Sequence, residues 1–554
     1  MDPRHPLTDS RYSSVGLALP TAQIKVPLPL GHVLFAPASA CRSIDRFIAA
    51  HPEIRRWLLV RFSATATLVG PFFDVAAPPC WHCFRHWLNL RRPHSPGPFR
   101  PLTLPSRPAG FRGRVLSIDD ASGTSTRHRF PRLPHCPQCG DPASQRTAGF
   151  PKFFPATTTH HKNFHSFVDP LLGIVTGLKV FPSPGGFAAA AAKLASPPGM
   201  ALGYAYGSGD SPALARRAAV NEAVERYSIV AQGDEPIATA ALDQVAPIAI
   251  LPQSLHPFSD RQYVEREAIN AIPRSFPWVP PRYDGRTAPW AIAWSMTANQ
   301  PRLLPFSFAY WTRQFPWCRA DSIGCAAGAS LAAALDSAVL ELIERDAIAI
   351  WWANKITPPT VAPHLYWNDP LLRRPLDALA GIRRTVHVFD LTTDLRIPVA
   401  GAISWNRRGR LPDFGFGAHP SSAIAIRRAV RELTQTSLGN HAIRRRSTPS
   451  DAFQHWRNTV QAGQESHLAP GPEVSPEDAP GSALEALVHA GFDVTALNLT
   501  RPETRIPVVR AAVPGLCHPW LRLGAARLSH VPLRLGWLAR ARREEEWNPL
   551  PFAL

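Results

Sequence analysis

Three segments of the chain share one layout that ends in a pair of carboxylate or amide side chains. The two members of each pair lie three residues apart: Glu222 and Glu225, Glu341 and Glu344, and Glu432 and Gln435. A serine precedes the first member of each pair by eleven residues: Ser211, Ser330 and Ser421. Serine is a preferred helix N-cap, and residues three apart share a helix face. Each segment therefore predicts a serine-capped helix that carries its pair on one side.

The acidic pairs are candidate metal ligands because their surroundings are apolar. An isolated Glu-x-x-Glu pair is usually an exposed stripe, but the second pair here has apolar neighbours on most faces: Leu340, Leu342, Ile343, Ala347, Ile348, Ile350, Trp351 and Trp352. Carboxylates in such surroundings are costly unless they are paired or bind a metal. Mg²⁺ is usually held by a few carboxylates together with substrate phosphates, so the paired helices predict a magnesium–nucleotide site. Residues 1–150 contain no glycine-rich phosphate loop, and we expect no nucleotide to bind there.

Four of the eight cysteines form a second constellation, with Cys80 and Cys83 in one pair and Cys136 and Cys139 in another. Two Cys-x-x-Cys turns supply the four thiolates that a tetrahedral zinc ion prefers, and the absence of a spare position predicts a structural site. A redox pair, a chance pairing, or a mixed shell that includes His82 or His86 are the alternatives.

The composition bounds the remaining possibilities. A length of 554 residues suits about three domains, and 60 prolines indicate long irregular connections. The net charge of +19 suits acidic peptides or polyanions, or it reflects genomic base composition. The chain lacks a basic stripe interleaved with aromatic residues, so nucleic-acid binding is a weak alternative. Neither a signal peptide nor a membrane span is evident, and the scattered remaining cysteines favour a reducing cytoplasm.

The repeated segments resemble the three ATP-binding motifs of the YcaO family. Other stretches agree with that family's pattern: Asp321-Ser322-Ile-Gly324, Asp390-Leu-Thr392, Ile397-Pro398, Leu499-Thr500-Arg501-Pro502 and Pro514-Gly515-Leu516. The resemblance begins near Thr157 and runs to the C-terminus. We expect an α/β fold with mixed sheets and flanking helices: a catalytic domain over residues 155–554 and a zinc module over residues 1–145. Residues 140–157 would link the two, and the proline-rich stretch 93–107 would be a loop within the module.

The resemblance implies an ATP-dependent peptide cyclodehydratase, which converts Cys, Ser or Thr of a ribosomally made precursor to thiazoline or oxazoline. It assigns the magnesium ligands to four carboxylates: Glu222, Glu225, Glu341 and Glu344. It assigns nucleotide binding to four further residues: Ser322, Arg428, Glu432 and Gln435. Arg226 and Arg345 would orient the carboxylates.

The C-terminal end also resembles the family, whose cyclodehydratases commonly end in a proline-alternating tail thought to reach the active site. Here Pro549 and Pro551 keep the alternation, and Ala553 stands at the third position. The resemblance therefore implies a catalytic role for Pro549 and Pro551. Disordered terminal prolines are the alternative, but the apolar side chains of Trp547 and Phe552 favour docking of the tail.

The cysteine module resembles the zinc-bearing part of the ThiF-like partner that delivers precursor peptides to these enzymes. We expect the usual upstream peptide-recognition element to be absent, because residues 1–79 are short for it. We therefore expect a separate leader-binding protein. A flavin dehydrogenase that acts afterwards and a homodimer both remain open.

Two positions depart from the family's pattern. Ser208 stands where a lysine is usual in the first motif, and Ala218 replaces a small polar residue before the first glutamate. A peptide-docking scaffold with an idle nucleotide site is thus one alternative. Thioamide or amidine formation is another, because the ATP site does not reveal the nucleophile.

Overall fold

The computed structural model describes residues 13–16, 32–37, 41–89, 108–141, 167–183, 186–196, 202–271, 278–312, 317–443 and 452–552. The described strands are named β1 to β20 in chain order: β1 (Ser13–Gly16), β2 (His32–Pro37), β3 (Arg56–Phe62), β4 (Ala66–Asp74), β5 (Arg114–Asp119), β6 (Ser125–Arg129), β7 (Val175–Pro182), β8 (Ala188–Leu194), β9 (Tyr204–Gly209), β10 (Ile237–Ala240), β11 (Ala288–Ser295), β12 (Gln300–Pro305), β13 (Cys325–Ala327), β14 (Thr360–Val361), β15 (Arg384–Asp390), β16 (Val399–Asn406), β17 (Asp413–Ala418), β18 (Glu473–Val474), β19 (Thr495–Asn498) and β20 (Val508–Ala512).

The described α-helices are named α1 to α15 in the same way: α1 (Cys41–Ala50), α2 (Trp81–Asn89), α3 (Pro212–Ile229), α4 (Leu242–Val245), α5 (Pro252–Leu255), α6 (Asp260–Val264), α7 (Arg266–Ala271), α8 (Phe306–Ala309), α9 (Leu331–Asn354), α10 (His364–Trp367), α11 (Arg373–Gly381), α12 (Ser422–Ile443), α13 (Ala452–Thr459), α14 (Ala483–His489) and α15 (Arg527–Arg534). Short 3₁₀ turns lie at Pro108–Phe111, Ser466–Leu468 and Glu544–Glu546. Among these helices none combines the length and apolarity that crossing a membrane requires.

The N-terminal module is built on a sheet in the order β1-β2-β3-β4-β5-β6. Strands β1 to β3 run parallel, and the rest of the sheet is antiparallel. The apolar stretch from Leu58 to Phe73 predicts strands, and β3 and β4 confirm that prediction. Trp57 and Phe73 pack against Trp81 and Phe84 of α2, so the helix with the first cysteine pair lies on this sheet.

The remainder of the described chain forms three sheets, each with one long helix. Their strand orders are β7-β8-β9, then β10-β11-β19-β20-β13 with β12 beside β11, and finally β17-β16-β15-β14-β18. In each sheet one edge strand leads directly into the long helix: β9 into α3, β13 into α9 and β17 into α12. The expected α/β class with mixed sheets and flanking helices is thus confirmed.

Glycines allow each long helix to cross its own edge strand closely. A Cβ atom at Gly207 would overlap the backbone of Ala219, and one at Gly415 would overlap that of Leu433. Gly328, just after β13, meets the backbone of Ala334 in the same way. Only glycine permits backbones to approach this closely.

The serine caps agree with the sequence for the first two helices. The Ser211 side chain accepts the Leu214 N–H at 3.3 Å, and the Ser330 side chain accepts the Ala333 N–H at 3.1 Å. Ser421 immediately precedes α12, and its carbonyl accepts the Ala425 N–H. The predicted helices therefore begin where the serines place them.

The three strand–helix units contact one another in a closed ring. Helix α3 packs on β13 of the second unit, and α9 packs on β17 of the third. Helix α12 of the third unit packs on β8 and β9 of the first. Each long helix therefore lies between its own edge strand and the neighbouring unit.

One buried apolar cluster joins the N-terminal module to the first two units, since it contains Trp87, Cys136, Ala219 and Val508. The proline-rich stretch 93–107 and nearly all of the linker 140–157 lie outside the described residues, as does Ala553. The boundaries at residues 145 and 155 remain predictions.

Candidate active site

The first glutamate of each pair binds the free edge of its own sheet. The Tyr206 N–H of β9 donates to the Glu222 carboxylate at 3.0 Å, and the Gly324 N–H before β13 donates to Glu341 at 3.1 Å. The third unit repeats the arrangement, because the Phe416 N–H of β17 donates to Glu432 at 2.5 Å. An edge strand leaves N–H groups unpaired, and a carboxylate is a strong acceptor for them.

The second glutamate of a pair lies toward the next unit. Glu225 of α3 accepts the Ala327 N–H of β13 at 3.2 Å. Glu344 of α9 is close enough to Glu432 of α12 for the two carboxylates to repel each other. The ring thus brings the three helices together through their acidic faces.

Two arginines hold the carboxylates in place. Arg226 Nη2 lies 2.7 Å from Glu222 one turn earlier on α3. On α9, Arg345 lies 2.9 Å from Glu344 and 3.4 Å from Glu341. These contacts agree with the orienting role predicted for Arg226 and Arg345.

The carboxylates lie in a recess that a ligand can still enter. The side chains of Glu222 and Glu341 remain 30% and 25% exposed, and that of Glu344 remains 12% exposed. Burial raises the pKa of all four glutamates, that of Glu344 to about 8, and the neighbouring carboxylates add to the effect. A site that disfavours its own negative charge is one that a divalent cation would stabilise.

The glutamates do not form a closed metal cage by themselves. Among the described residues, only the four cysteines place three or more metal-ligand atoms within 4.8 Å of one another. The residues fit Mg²⁺ in a different way, because that ion usually keeps water and phosphate oxygens among its ligands. Any ion held by Glu222, Glu225, Glu341 and Glu344 would therefore need a phosphate or water to complete its shell.

The residues predicted to bind nucleotide lie around the same ring. Arg428 is exposed, and it donates to the Ala418 carbonyl at 2.8 Å. Its guanidinium group is also attracted electrostatically by the Glu344 carboxylate. Gln435 follows Glu432 by three residues on α12 and is half-buried. Ser322 is half-buried in the wall of a separate cavity, next to the loop that binds Glu341. Sequence reasoning did not anticipate that cavity.

The two departures from the family pattern occupy the first unit. Ser208 is half-buried in β9, two residues after Tyr206, whose N–H binds Glu222. Ala218 is half-buried on α3. Both residues lie in the strand and helix that carry the first acidic pair.

The C-terminal tail docks into the third unit. Phe552 is fully buried, and its ring centroid lies 5.5 Å from that of Phe416, whose N–H binds Glu432. The Trp352 indole donates to the Leu550 carbonyl, and the Phe552 N–H donates to the Pro519 carbonyl at 3.1 Å. Pro551 is half-buried and Pro549 is exposed. The predicted anchoring by Phe552 is therefore present, while the catalytic role of the prolines remains a prediction.

The four predicted zinc ligands come together in the N-terminal module. The Sγ–Sγ distance is 3.5 Å from Cys80 to Cys136 and from Cys83 to Cys139, and 4.0 Å from Cys80 to Cys83. A tetrahedral zinc ion with bonds of about 2.3 Å separates its sulfurs by about 3.8 Å, so the donor set fits zinc. Hydrogen bonding with Cys80 and Cys83 lowers the pKa of the Cys136 thiol.

The histidine alternatives for this shell are wrong, because both histidines point to other partners. His82 pairs with Gln138 at 2.8 Å, and His86 Nε2 lies 3.0 Å from the Tyr227 hydroxyl.

A buried polar network joins the cysteine module to the first motif helix. The Tyr227 hydroxyl donates to Glu503 at 2.7 Å, and Arg501 pairs with Glu503 and Asp234. His135, next to Cys136, lies 2.9 Å from Asp234. Sequence reasoning missed this network, although Arg501 belongs to a stretch that carried the family resemblance.

Comparison with known proteins supports the resemblance. The model of the YcaO cyclodehydratase family, described as binding ATP and Mg²⁺, matches residues 206–517, more than half of the chain. A solved structure of a heterocyclase in complex with substrate and cofactor is 25% identical, has a TM-score of 0.85, and is matched over 98% of this chain and 85% of its own. The heterocyclase TruD is also 25% identical, with a TM-score of 0.77 and coverage of 98% and 84%.

None of the curated protein sequences matches the chain. The relationship of residues 1–145 to a ThiF-like partner stays a prediction. The family match and the two similar heterocyclases confirm the family expected from the repeated acidic motifs. The chain belongs to the YcaO cyclodehydratase family.

Proposed function

We propose that this protein uses ATP to convert Cys, Ser or Thr residues of a ribosomally made precursor peptide into thiazoline or oxazoline rings. The observation that carries the proposal is the meeting of two acidic pairs, from α3 and α9, at the edges of neighbouring sheets. A peptide-docking scaffold would gain nothing from burying these carboxylates, because each buried charge costs free energy unless a ligand balances it.

The four glutamates would hold Mg²⁺ together with the phosphates of ATP. When bound, the metal neutralises charge on the phosphates and so favours transfer of the terminal phosphoryl group. Arg226 and Arg345 keep the carboxylates oriented toward the recess. Arg428 would supply positive charge to the phosphates near the site, which compensates for Ser208 at the position where the family has lysine.

In the proposed reaction the oxygen of one backbone amide ends up in inorganic phosphate. The substrate thiol or hydroxyl adds to the carbonyl carbon of the preceding amide and loses its proton. The resulting oxyanion attacks the γ-phosphorus of ATP, and ADP leaves as the bond to the bridging oxygen breaks. The carbon–oxygen bond then breaks, inorganic phosphate leaves, and the amide nitrogen loses its proton as a carbon–nitrogen double bond forms. The protein's part is to align the two substrates.

Isotope transfer tests this sequence of steps. A cysteine-containing precursor with a heavy oxygen isotope in the preceding amide is incubated with the protein, Mg-ATP and a leader-binding partner. We expect one water lost from the peptide and one labelled phosphate released per ring. Phosphate release without peptide dehydration would overturn the proposal. Exchange of the amide oxygen for sulfur or nitrogen would indicate thioamide or amidine chemistry instead.

The tail offers a second test of the same function. Removal of residues 549–554 deletes Pro549, Pro551 and the Phe552 anchor. The Phe552 ring packs on that of Phe416, whose N–H binds Glu432. We expect azoline formation to fall about 100-fold, because without the docked tail the two substrates would be misaligned. Binding of Mg-ATP, measured by calorimetry, should change by less than about five-fold. A Leu550→Ala variant, which keeps both prolines, is the matched control. Full activity of the truncated protein would remove the tail from the mechanism.

A further inference from the structure

A cavity of about 240 Å³ opens beside the loop that binds Glu341. Its wall includes the aromatic residues Trp278, Trp311 and Trp520 together with His256, Asp321 and Ser322. We propose that this cavity receives an aromatic side chain of the peptide substrate, from a residue within one or two positions of the one that is cyclised. The inference rests on the proposed function and specifies the substrate at the same site.

The cavity lies near the acidic pair of α9. Ser322 in its wall is two residues before Gly324, whose N–H donates to Glu341, and two residues span at most about 7 Å. A neighbouring residue of an extended peptide covers about 3.3 Å per position, so a side chain could enter the cavity while the next amide lies by the glutamates. This spacing favours a residue adjacent to the reacting amide.

The wall is held by a buried ion pair and several hydrogen bonds. Arg522 lies 2.9 Å from Asp321, and His518 Nε2 lies 3.1 Å from the same carboxylate. Arg510, which is fully buried, donates to the Asp321 carbonyl. The Trp520 ring packs edge-on against His518 with centroids 5.0 Å apart. Such a pre-formed cavity with apolar walls and a few fixed polar groups is typical of a ligand pocket.

One residue of the wall, His256, carries a buried polar atom without a partner in the described part of the chain. His256 is 3% exposed, and its Nε2 has no hydrogen-bond partner among the described residues. Burial holds the pKa of His256 well below its usual value, so the ring is neutral and carries one donor and one acceptor nitrogen. A buried polar atom without a partner is costly. A tyrosine side chain would fill the aromatic cavity and bring a hydroxyl group beside the polar residues of its wall.

Peptide binding tests the inference apart from turnover. Three fluorescein-labelled hexapeptides are compared in the presence of Mg²⁺ and a non-hydrolysable ATP analogue: Gly-Gly-Tyr-Cys-Gly-Gly, Gly-Gly-Cys-Tyr-Gly-Gly and Gly-Gly-Gly-Cys-Gly-Gly. We expect one of the tyrosine peptides to bind roughly 10- to 100-fold more tightly than the glycine peptide in a fluorescence anisotropy titration. Equal affinity for all three would overturn the inference.

Two variants change the cavity in opposite directions. Trp311→Ala enlarges it, and Ala320→Phe fills it from a half-buried position in the wall. Both should abolish the preference for tyrosine while leaving the affinity for the ATP analogue unchanged. Trp367→Ala removes a tryptophan that is 51% exposed and lies outside the cavity, so it is the matched control and should keep the preference.

The outcomes separate the two proposals. A tyrosine preference that both cavity variants preserve would overturn the cavity assignment, whether or not azolines form. A preference that both variants abolish, in a protein that dehydrates no peptide, would support the cavity and contradict the proposed function. Because Ala320→Phe adds apolar volume, its folding can be checked by thermal unfolding independently of Trp311→Ala.

Discussion

The cysteine cluster and the acidic ring are both sets of metal-ligand atoms, but they are assembled in different ways. The cysteines form two tight turns, and their sulfurs lie within 4.8 Å of one another before any ion is considered. The glutamates come from α3 and α9, and each already accepts a backbone N–H or an arginine contact. The first set is closed, and the second is open to a ligand.

The difference indicates what each site does for the protein. A closed thiolate shell stabilises the fold that surrounds it, because zinc binding and folding share one free energy. Partly buried carboxylates without a ligand lower the free energy of unfolding of the empty protein. Binding of the cation and phosphates restores that stability. Loss of zinc should therefore unfold the cysteine module, whereas loss of the cation and nucleotide should leave the acidic ring folded.

The largest effect is expected in the cysteine cluster. Cys136→Ser should lose bound zinc and lower the free energy of unfolding by roughly 3–5 kcal/mol, because the remaining thiolates cannot close the shell. Metal content by mass spectrometry and chemical denaturation give the two readouts. Cys41→Ser is the control, since Cys41 lies outside the cluster and should keep the zinc. Full zinc content in Cys136→Ser would show that the shell is different.

The acidic ring should behave in the opposite manner. Glu341→Gln should weaken binding of Mg-ATP by about 10- to 100-fold, which corresponds to the loss of one charged ligand. Its unfolding free energy should stay the same or rise, because the amide still accepts the Gly324 N–H and no longer buries a charge. Calorimetry and thermal unfolding measure the two quantities.

Glu267→Gln supplies the matched control, because the Glu267 side chain is 92% exposed and far in sequence from the acidic pairs. It should leave nucleotide affinity unchanged. Destabilisation of Glu341→Gln to the extent seen for Cys136→Ser would remove the contrast between the two regions.

Lowering the pH should test a third region, around the buried His467. His467 is 1% exposed, with Trp351 and Trp352 beside its ring, and burial lowers its pKa to about 4. The unfolded state takes up a proton near pH 6.5, whereas the folded state does so near pH 4. The buried, neutral His467 ring therefore makes its full contribution to the free energy of unfolding above about pH 6.5. That contribution is lost as the pH falls toward 4, and the loss is at most about 3 kcal/mol.

The measurement is urea denaturation across pH 4–7 in the native protein and in His467→Gln. Acid also protonates zinc thiolates, so only the difference between the two proteins isolates His467. The variant should show a flatter pH dependence. Identical slopes in the two proteins would mean that His467 is protonated equally in the folded and unfolded states.

The smallest effect is expected where the two regions meet. Tyr227→Phe removes the hydroxyl between His86 and Glu503, and it should lower the free energy of unfolding by about 1–2 kcal/mol. The stacking of Trp87 on the aromatic ring should persist. Nucleotide affinity should change less than in Glu341→Gln, as measured by the same calorimetry. Tyr204→Phe, at a 46% exposed position, is the control.

Local features of the site could be predicted from the sequence because they depend on short spacings. The Ser211 and Ser330 caps, the acidic pairs on single helix faces and the two cysteine turns each involve a few consecutive residues. Apolar neighbours around Glu341 also predict its burial, since a helix repeats its faces every few residues.

Other features depend on residues far apart in the chain and could not be predicted. The edge strand β13 binds Glu225, and the residue just before it binds Glu341, although the strand is three residues long and carries no strong strand signal. The pairing of Tyr227 with Glu503 spans 276 positions. The cavity beside Ser322 joins Trp278 and Trp520, which no spacing rule connects.

The sequence by itself determined the chemistry of this protein: two acidic helix pairs, a third helix with Glu432 and Gln435, and four thiolates in two turns. Those choices depend on side-chain type and on local geometry, which the chain carries at every position. Only the tertiary structure decided that three sheets present their edge strands to one recess and that an aromatic cavity opens beside it. Free edges and cavities arise between elements, from how twisted sheets and helices pack, so no single segment encodes them.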